Sequence, residues 1–144
     1  MTELETIALA ANLRAVNEFV RGAGSSAGFS TGMEYRLELI VEEVFLNIAR
    51  HSCPGEPVRI GCTAEPGSVA LEFEYGGPYF DPRTAPEPPI GAPLSARRPG
   101  GLGVFLVRQM ASEIEYAREG GRNRLRVRLT DHDTAPGGAL QSSL

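Results

Sequence analysis

Glu43 and Asn47 stand four residues apart in a helical stretch, which places a carboxylate and a carboxamide on one face. Downstream, Gly100-Gly101-Leu102-Gly103 reads as a glycine-rich turn that opens another helix. Such a turn offers bare backbone N–H groups to phosphate. A carboxylate can accept a proton, and a carboxamide oxygen can hold a hard cation such as magnesium. Together these residues suggest a nucleotide site carrying a base and a metal ligand.

The elements that must position them follow from periodicity. Thr31-Gly32-Met33-Glu34 matches a capping box, so the helix bearing Glu43 and Asn47 should start there and run to about His51, where Cys53-Pro54-Gly55 stops it. Leu37, Ile40, Val41, Val44 and Ile48 share one face at about 100° per residue. Asn47 lies at the edge of that face and Glu43 one step further round, bordering the core as pocket-lining residues do. Ahead of it, residues 4–9 read as a short strand with Leu4, Thr6 and Ala8 on one side. Asn12 is placed to cap a helix to about Gly22, with Leu13, Val16, Phe19 and Val20 as its apolar stripe.

After the second helix, Val58, Ile60 and Cys62 alternate with Arg59, Gly61 and Thr63. Pro66-Gly67 turns the chain into a partner strand with Val69, Leu71, Phe73 and Tyr75 on one side. Residues 76–99 carry seven prolines and no regular pattern, as a lid-like loop would. A third helix is expected from about Leu102 to Ser112. A second hairpin should join Ile114–Arg118 to Arg124–Leu129 through Glu119-Gly120-Gly121-Arg122-Asn123. Residues 1–130 thus form one domain, with 131–144 as a mobile tail. Helices grouped against a mostly antiparallel mixed sheet make an α+β two-layer sandwich with the helices on one face.

Composition sets outer bounds. The chain has 144 residues, enough for one self-sufficient core, and 42% hydrophobic and 22% charged residues are ordinary for a globular protein. A net charge of −4 gives no broad basic field to draw nucleic acid or anionic membrane. The opening MTELETIALA has neither the basic start nor the cleavage site of a signal peptide, and no apolar run reaches transmembrane length, so the expected location is the cytoplasm. Cys53 and Cys62 lack metal-ligand spacing and read as reduced thiols; Asp131-His132-Asp133 falls in the expected tail and completes no ligand set.

The stretch Leu37-Glu38-Leu39-Ile40-Val41-Glu42-Glu43-Val44-Phe45-Leu46-Asn47-Ile48-Ala49-Arg50-His51 resembles the N-box helix of the GHKL superfamily of histidine-kinase-like ATPases. It looks most like the branch of anti-sigma-factor serine kinases. Gly76-Gly77-Pro78-Tyr79-Phe80-Asp81-Pro82 resembles that branch's first glycine box, and Gly100 through Arg108 its second. The likeness runs in order over roughly residues 4–129.

The resemblance implies a Bergerat-type ATP-binding fold with ATP and Mg²⁺ as cofactors. Glu43 would be the catalytic base and Asn47 the magnesium ligand. Gly77 would lie against adenine, and Gly100, Gly101, Leu102 and Gly103 would hold the triphosphate. It further implies transfer to a serine on a small antagonist protein and capture of a sigma factor, in a partner switch, by a chain that is often a homodimer.

One position departs from the family pattern. The first glycine box usually begins Asp-x-Gly, its aspartate accepting from the adenine amine, and here that position holds Tyr75. Its ring should face the core and the pocket, so adenine recognition should be weakened, altered or lost. Two function classes therefore stand: an ATP-dependent serine protein kinase with altered adenine recognition, or a nucleotide-independent protein-binding module of the same fold. Arg124, Arg126 and Arg128 form an outward stripe that reads as a solvated sheet face pairing with Glu72, Glu74 and Glu115, or as a docking patch for an acidic partner. Arg97-Arg98 beside the glycine turn could reach phosphate.

Overall fold

The computed structural model describes residues 1–84 and 101–131. Five strands form one sheet: β1 (Thr2–Ile7), β2 (Pro57–Glu65), β3 (Ser68–Tyr75), β4 (Glu113–Glu119) and β5 (Arg122–Thr130), in the order β1-β2-β3-β5-β4. Three helices join them: α1 (Leu13–Gly24), α2 (Thr31–Asn47) and α3 (Gly101–Met110). The α+β architecture is the expected one. Every described strand pair is antiparallel, so the sheet is not mixed. The physical reason lies in the connections. The α1–α2 pair returns the chain to the end of β1, where Ala8 N donates to Glu56 O (2.8 Å) and Gly55 N to Ala8 O (2.9 Å).

Both hairpins turn on two residues. Pro66-Gly67 links β2 to β3, and Gly120-Gly121 alone links β4 to β5, with φ of +58° and +77°. Positive φ at both central residues is the turn that matches strand twist. The expected five-residue connection is therefore shorter, and Arg122 and Asn123 belong to β5.

The strand alternation sorts the sheet into two faces. Val58, Ile60 and Cys62, Val69, Leu71, Phe73 and Tyr75, and Leu125, Val127 and Leu129 are buried beneath the helices. The opposite face carries ion-pair rows: Arg59 with Glu74 and Glu3, Arg126 with Glu115 (4.0 Å), and Arg128 with Glu113 (3.0 Å). Arg124 also approaches Glu74 (3.8 Å), and Glu72 stands opposite Arg126. The arginine stripe is thus a self-paired sheet face, each pair worth at most about 1 kcal/mol.

Local contacts moved several helix ends. Asn12 does not cap α1; its Nδ2 donates to Ile7 O (2.9 Å), and a 3₁₀ turn, Ala10–Asn12, precedes the helix. Ser30, not Thr31, caps α2, accepting from Met33 N (3.0 Å). Asp131 fixes that cap, accepting from Ser30 N and Ser30 Oγ, both at 2.8 Å. The fold therefore extends through buried Asp131, one residue past the expected boundary. The rest of the expected tail, 132–144, and the loop portion 85–100 with Arg97-Arg98 lie outside the described residues. Past Asn47 the α2 path widens into a π turn, Ile48–Ser52.

Candidate functional site: a cleft between α2 and α3

Glu43 and Asn47 occupy successive turns of α2 and are both half-buried at its rim, as the helical wheel required. They line one cleft with Val44 of α2, Ile48 of the π turn, Tyr75 of β3, Phe80, Pro82, Val107 of α3, Ile114 of β4 and Leu125 of β5. Residues of α2 and α3 over fifty positions apart thus meet at one cleft. Gly101, Leu102 and Gly103 form the first turn of α3, the helix whose Val107 reaches this cleft. Gly100 lies outside the described residues.

Partial burial raises the Glu43 carboxyl above its ordinary value, Glu42 adds to the rise, and Arg50 opposes it. A carboxylate shifted this way is a stronger base than one in free solution. Asn47 brings a neutral oxygen donor beside it, a combination suited to a hard cation.

The other end of the cleft is closed. Tyr75 is only 6% exposed, and burial, with Tyr116, Cys53 and Asp81 nearby, pushes its phenol up and keeps it neutral. The remaining cavity is about 20 Å³. That is room for about one water molecule, far below the 300–1,000 Å³ of a typical small-molecule pocket. The carboxylate and carboxamide present thus fit a hard cation such as magnesium, and the phenol ring lines what remains of the cleft. A wider groove of about 220 Å³ runs between α1 and α2, lined by Val20, Phe29, Leu37 and Val41, away from these residues.

Gly77 closes the junction between β3 and the π turn that follows α2. Its φ is +100°, and its α-carbon packs on the Ser52 backbone. Burial pushes the Cys53 thiol up, and the nearby Gly76 amide opposes the rise. Just beyond, Asp81 accepts from Arg83 Nη2 (2.7 Å), Nε (2.9 Å) and backbone N (2.9 Å), which folds a short 3₁₀ turn, Pro82–Thr84. The Arg83 guanidinium holds the Asp81 carboxyl below the usual carboxylate range.

Sequence reasoning missed the residues that hold this glycine box from the far side. Asn123 is 1% exposed, and its Nδ2 donates to Gly76 O (3.0 Å), with longer contacts to Tyr75 O and Gly77 O (both 3.4 Å). Its Oδ1 accepts from Tyr116 Oη and from Arg118 Nη1 (2.9 Å). The signal was present. A two-residue turn puts Asn123 in phase with Leu125, Val127 and Leu129, and an inward amide must find partners.

Residues 6–129 match the model of the histidine kinase-like ATPase domain. The chain belongs to that family. Over 107 residues it is 33% identical to the serine/threonine-protein kinase BtrW of Bordetella bronchiseptica, covering 72% of this chain and 74% of the relative. Among solved structures it resembles the blue-light activated histidine kinase of Erythrobacter litoralis EL346, with TM-score 0.50 and 17% identity over 94% of this chain. It spans 43% of that kinase's length. The Acinetobacter baumannii histidine kinase AdeS aligns at TM-score 0.49 and 15% identity, over 92% of this chain and 70% of that one. Membership implies ATP binding, and no helix among the described residues is long and apolar enough to cross a membrane.

Proposed function

We propose that this chain is an ATP-dependent serine/threonine protein kinase that acts on a partner protein as one arm of a partner switch. The observation that carries the proposal is the cleft that Glu43 and Asn47 line with Val107 of α3, the helix whose first turn carries Gly101, Leu102 and Gly103. The kinase activity named for the Bordetella relative supports it. When bound, Mg-ATP supplies the phosphoryl group and neutralises part of its charge. Asn47 would hold the cation through its carboxamide oxygen. Glu43 would take the proton from the acceptor hydroxyl, a role its raised basicity favours.

On this reading the acceptor is a serine of a small antagonist protein, and a sigma factor is the partner released or captured. The chain would work in the cytoplasm, as a homodimer, and without contacting nucleic acid or membrane. Its net charge of −4 agrees with the last point.

Tyr75 favours a second reading. A buried phenol and a 20 Å³ cavity suit a nucleotide-independent binding module that keeps the fold and captures a protein partner. Calorimetric titration with Mg-ATP separates the two. The kinase reading expects saturable binding tighter than about 1 mM, weakened at least about tenfold by Asn47→Ala. No heat of binding at millimolar nucleotide would retire the kinase and leave the binding module.

A further inference from the structure

We infer that the β4–β5 hairpin is the positioning element of the nucleotide cleft, with Asn123 and Arg118 holding the first glycine box in its working shape. The inference rests on the nucleotide site proposed above and adds residues to it that lie outside the family's glycine boxes.

The backbone from Tyr75 to Phe80 leaves the sheet beside the cleft, and three hairpin side chains meet it. Asn123 spans the carbonyls of Tyr75, Gly76 and Gly77 from inside the fold. Arg118 Nη1 donates to Gly77 O (2.7 Å) from the solvent side and to Asn123 Oδ1 as well. Tyr116 Oη accepts from Phe80 N (3.3 Å) and donates to Asn123 Oδ1. Its ring meets Tyr79 edge-on, with centroids 5.4 Å apart.

The chemistry fixes how the amide is oriented. Two donors converge on Oδ1 and three carbonyls surround Nδ2, so a flipped amide would oppose like to like on both sides. An isosteric carboxylate would fail on the Nδ2 side for the same reason. Arg118 adds a charged donor, which makes a stronger bond than a neutral one. The segment carrying Gly77 at φ +100° is therefore not held by its own conformational preference but from both faces. Phe80 and Pro82, at its far end, line the cleft with Glu43 and Asn47. A shift in this backbone moves the wall of the site that Phe80 and Pro82 supply.

Hydrogen exchange and nucleotide binding, measured on the same variants, test the inference. Arg118→Ala removes the solvent-side bond from a side chain at the surface, so the fold survives. Arg118→Lys keeps a charged donor, and Asn123→Ala removes the inner bonds. Arg118→Ala and Asn123→Ala should speed exchange of the amides in 76–80 roughly fivefold or more, with β2 unchanged for Arg118→Ala. Arg118→Ala should weaken Mg-ATP binding about tenfold, and Arg118→Lys should restore most of the loss. Unchanged exchange at 76–80, or faster exchange spread evenly over the sheet for Arg118→Ala, would overturn the inference. So would faster local exchange with nucleotide affinity untouched. A wild-type chain that binds no Mg-ATP defeats the kinase reading and the positioning role with it, yet faster exchange at 76–80 would still show the clamp.

Discussion

A β-carbon on Gly77 would lie 2.2 Å from the carbonyl oxygen of Ser52. The π turn that follows α2 and the turn after β3 are thus in direct backbone contact, and the helix bearing Glu43 and Asn47 is tied through that π turn to the pocket wall. The residue has two reasons to be glycine, the close approach and the positive φ.

Gly77→Ala should therefore destabilise the fold by about 1–3 kcal/mol or more, because the new carbon meets backbone that cannot rotate away. For a chain of this size that lowers the melting temperature by roughly 3–10 °C. Thermal unfolding followed by circular dichroism checks it. A melting curve unmoved by the substitution would mean that the turn relaxes away from Ser52.

Glu43→Gln should stabilise the fold near neutral pH while abolishing phosphoryl transfer. Burial raises the Glu43 carboxyl above 4.5, so the folded chain binds this proton more tightly than the unfolded chain. Its favourable contribution is present below the unfolded value and is lost as pH rises through the folded one. The variant has no such loss. Its melting temperature should exceed the wild type's at neutral pH, and the two should converge below 4.5. An equal difference at both ends of the range would contradict the shift.

Tyr75→Asp should raise affinity for adenine nucleotide by roughly ten- to a hundredfold, the worth of one charge-assisted hydrogen bond. The substitution also removes the ring that leaves only 20 Å³ in the cleft. Titration of both proteins with Mg-ATP measures it. No change, or a fall in a variant that still folds, would show that position 75 does not face the base.

Neither cysteine should react with a thiol reagent in the native state near neutral pH. Cys53 and Cys62 are 1% and 2% exposed, and burial pushes the Cys62 thiol up to about 11. A colorimetric thiol assay should find both groups only after unfolding. Rapid labelling of the folded chain would contradict the packing of β2 against the helices.

Much of this was legible because period and spacing are local properties. Strand alternation put Tyr75 in phase with Val69, Leu71 and Phe73, and all four are buried. Helical spacing put Glu43 and Asn47 at a rim, where they sit. What escaped depends on contacts between distant segments. Phe45 lies beside Val41 at the edge of the apolar stripe yet is fully buried, because α1 also packs on α2. The α2 cap moved to Ser30 because Asp131, far along the chain, grips it. By composition Asn123 belongs to a loop, and only the two-residue turn reveals that it points inward.

The most direct measurement is a crystal structure grown with magnesium and a non-hydrolysable ATP analogue. The account predicts the triphosphate lying between Asn47 and the first turn of α3. Magnesium should sit about 2.1 Å from the Asn47 carboxamide oxygen, with the Tyr75 ring moved aside or stacked on the base. A cleft unchanged at saturating nucleotide, with the phenol still in place and no metal beside Asn47, would contradict it.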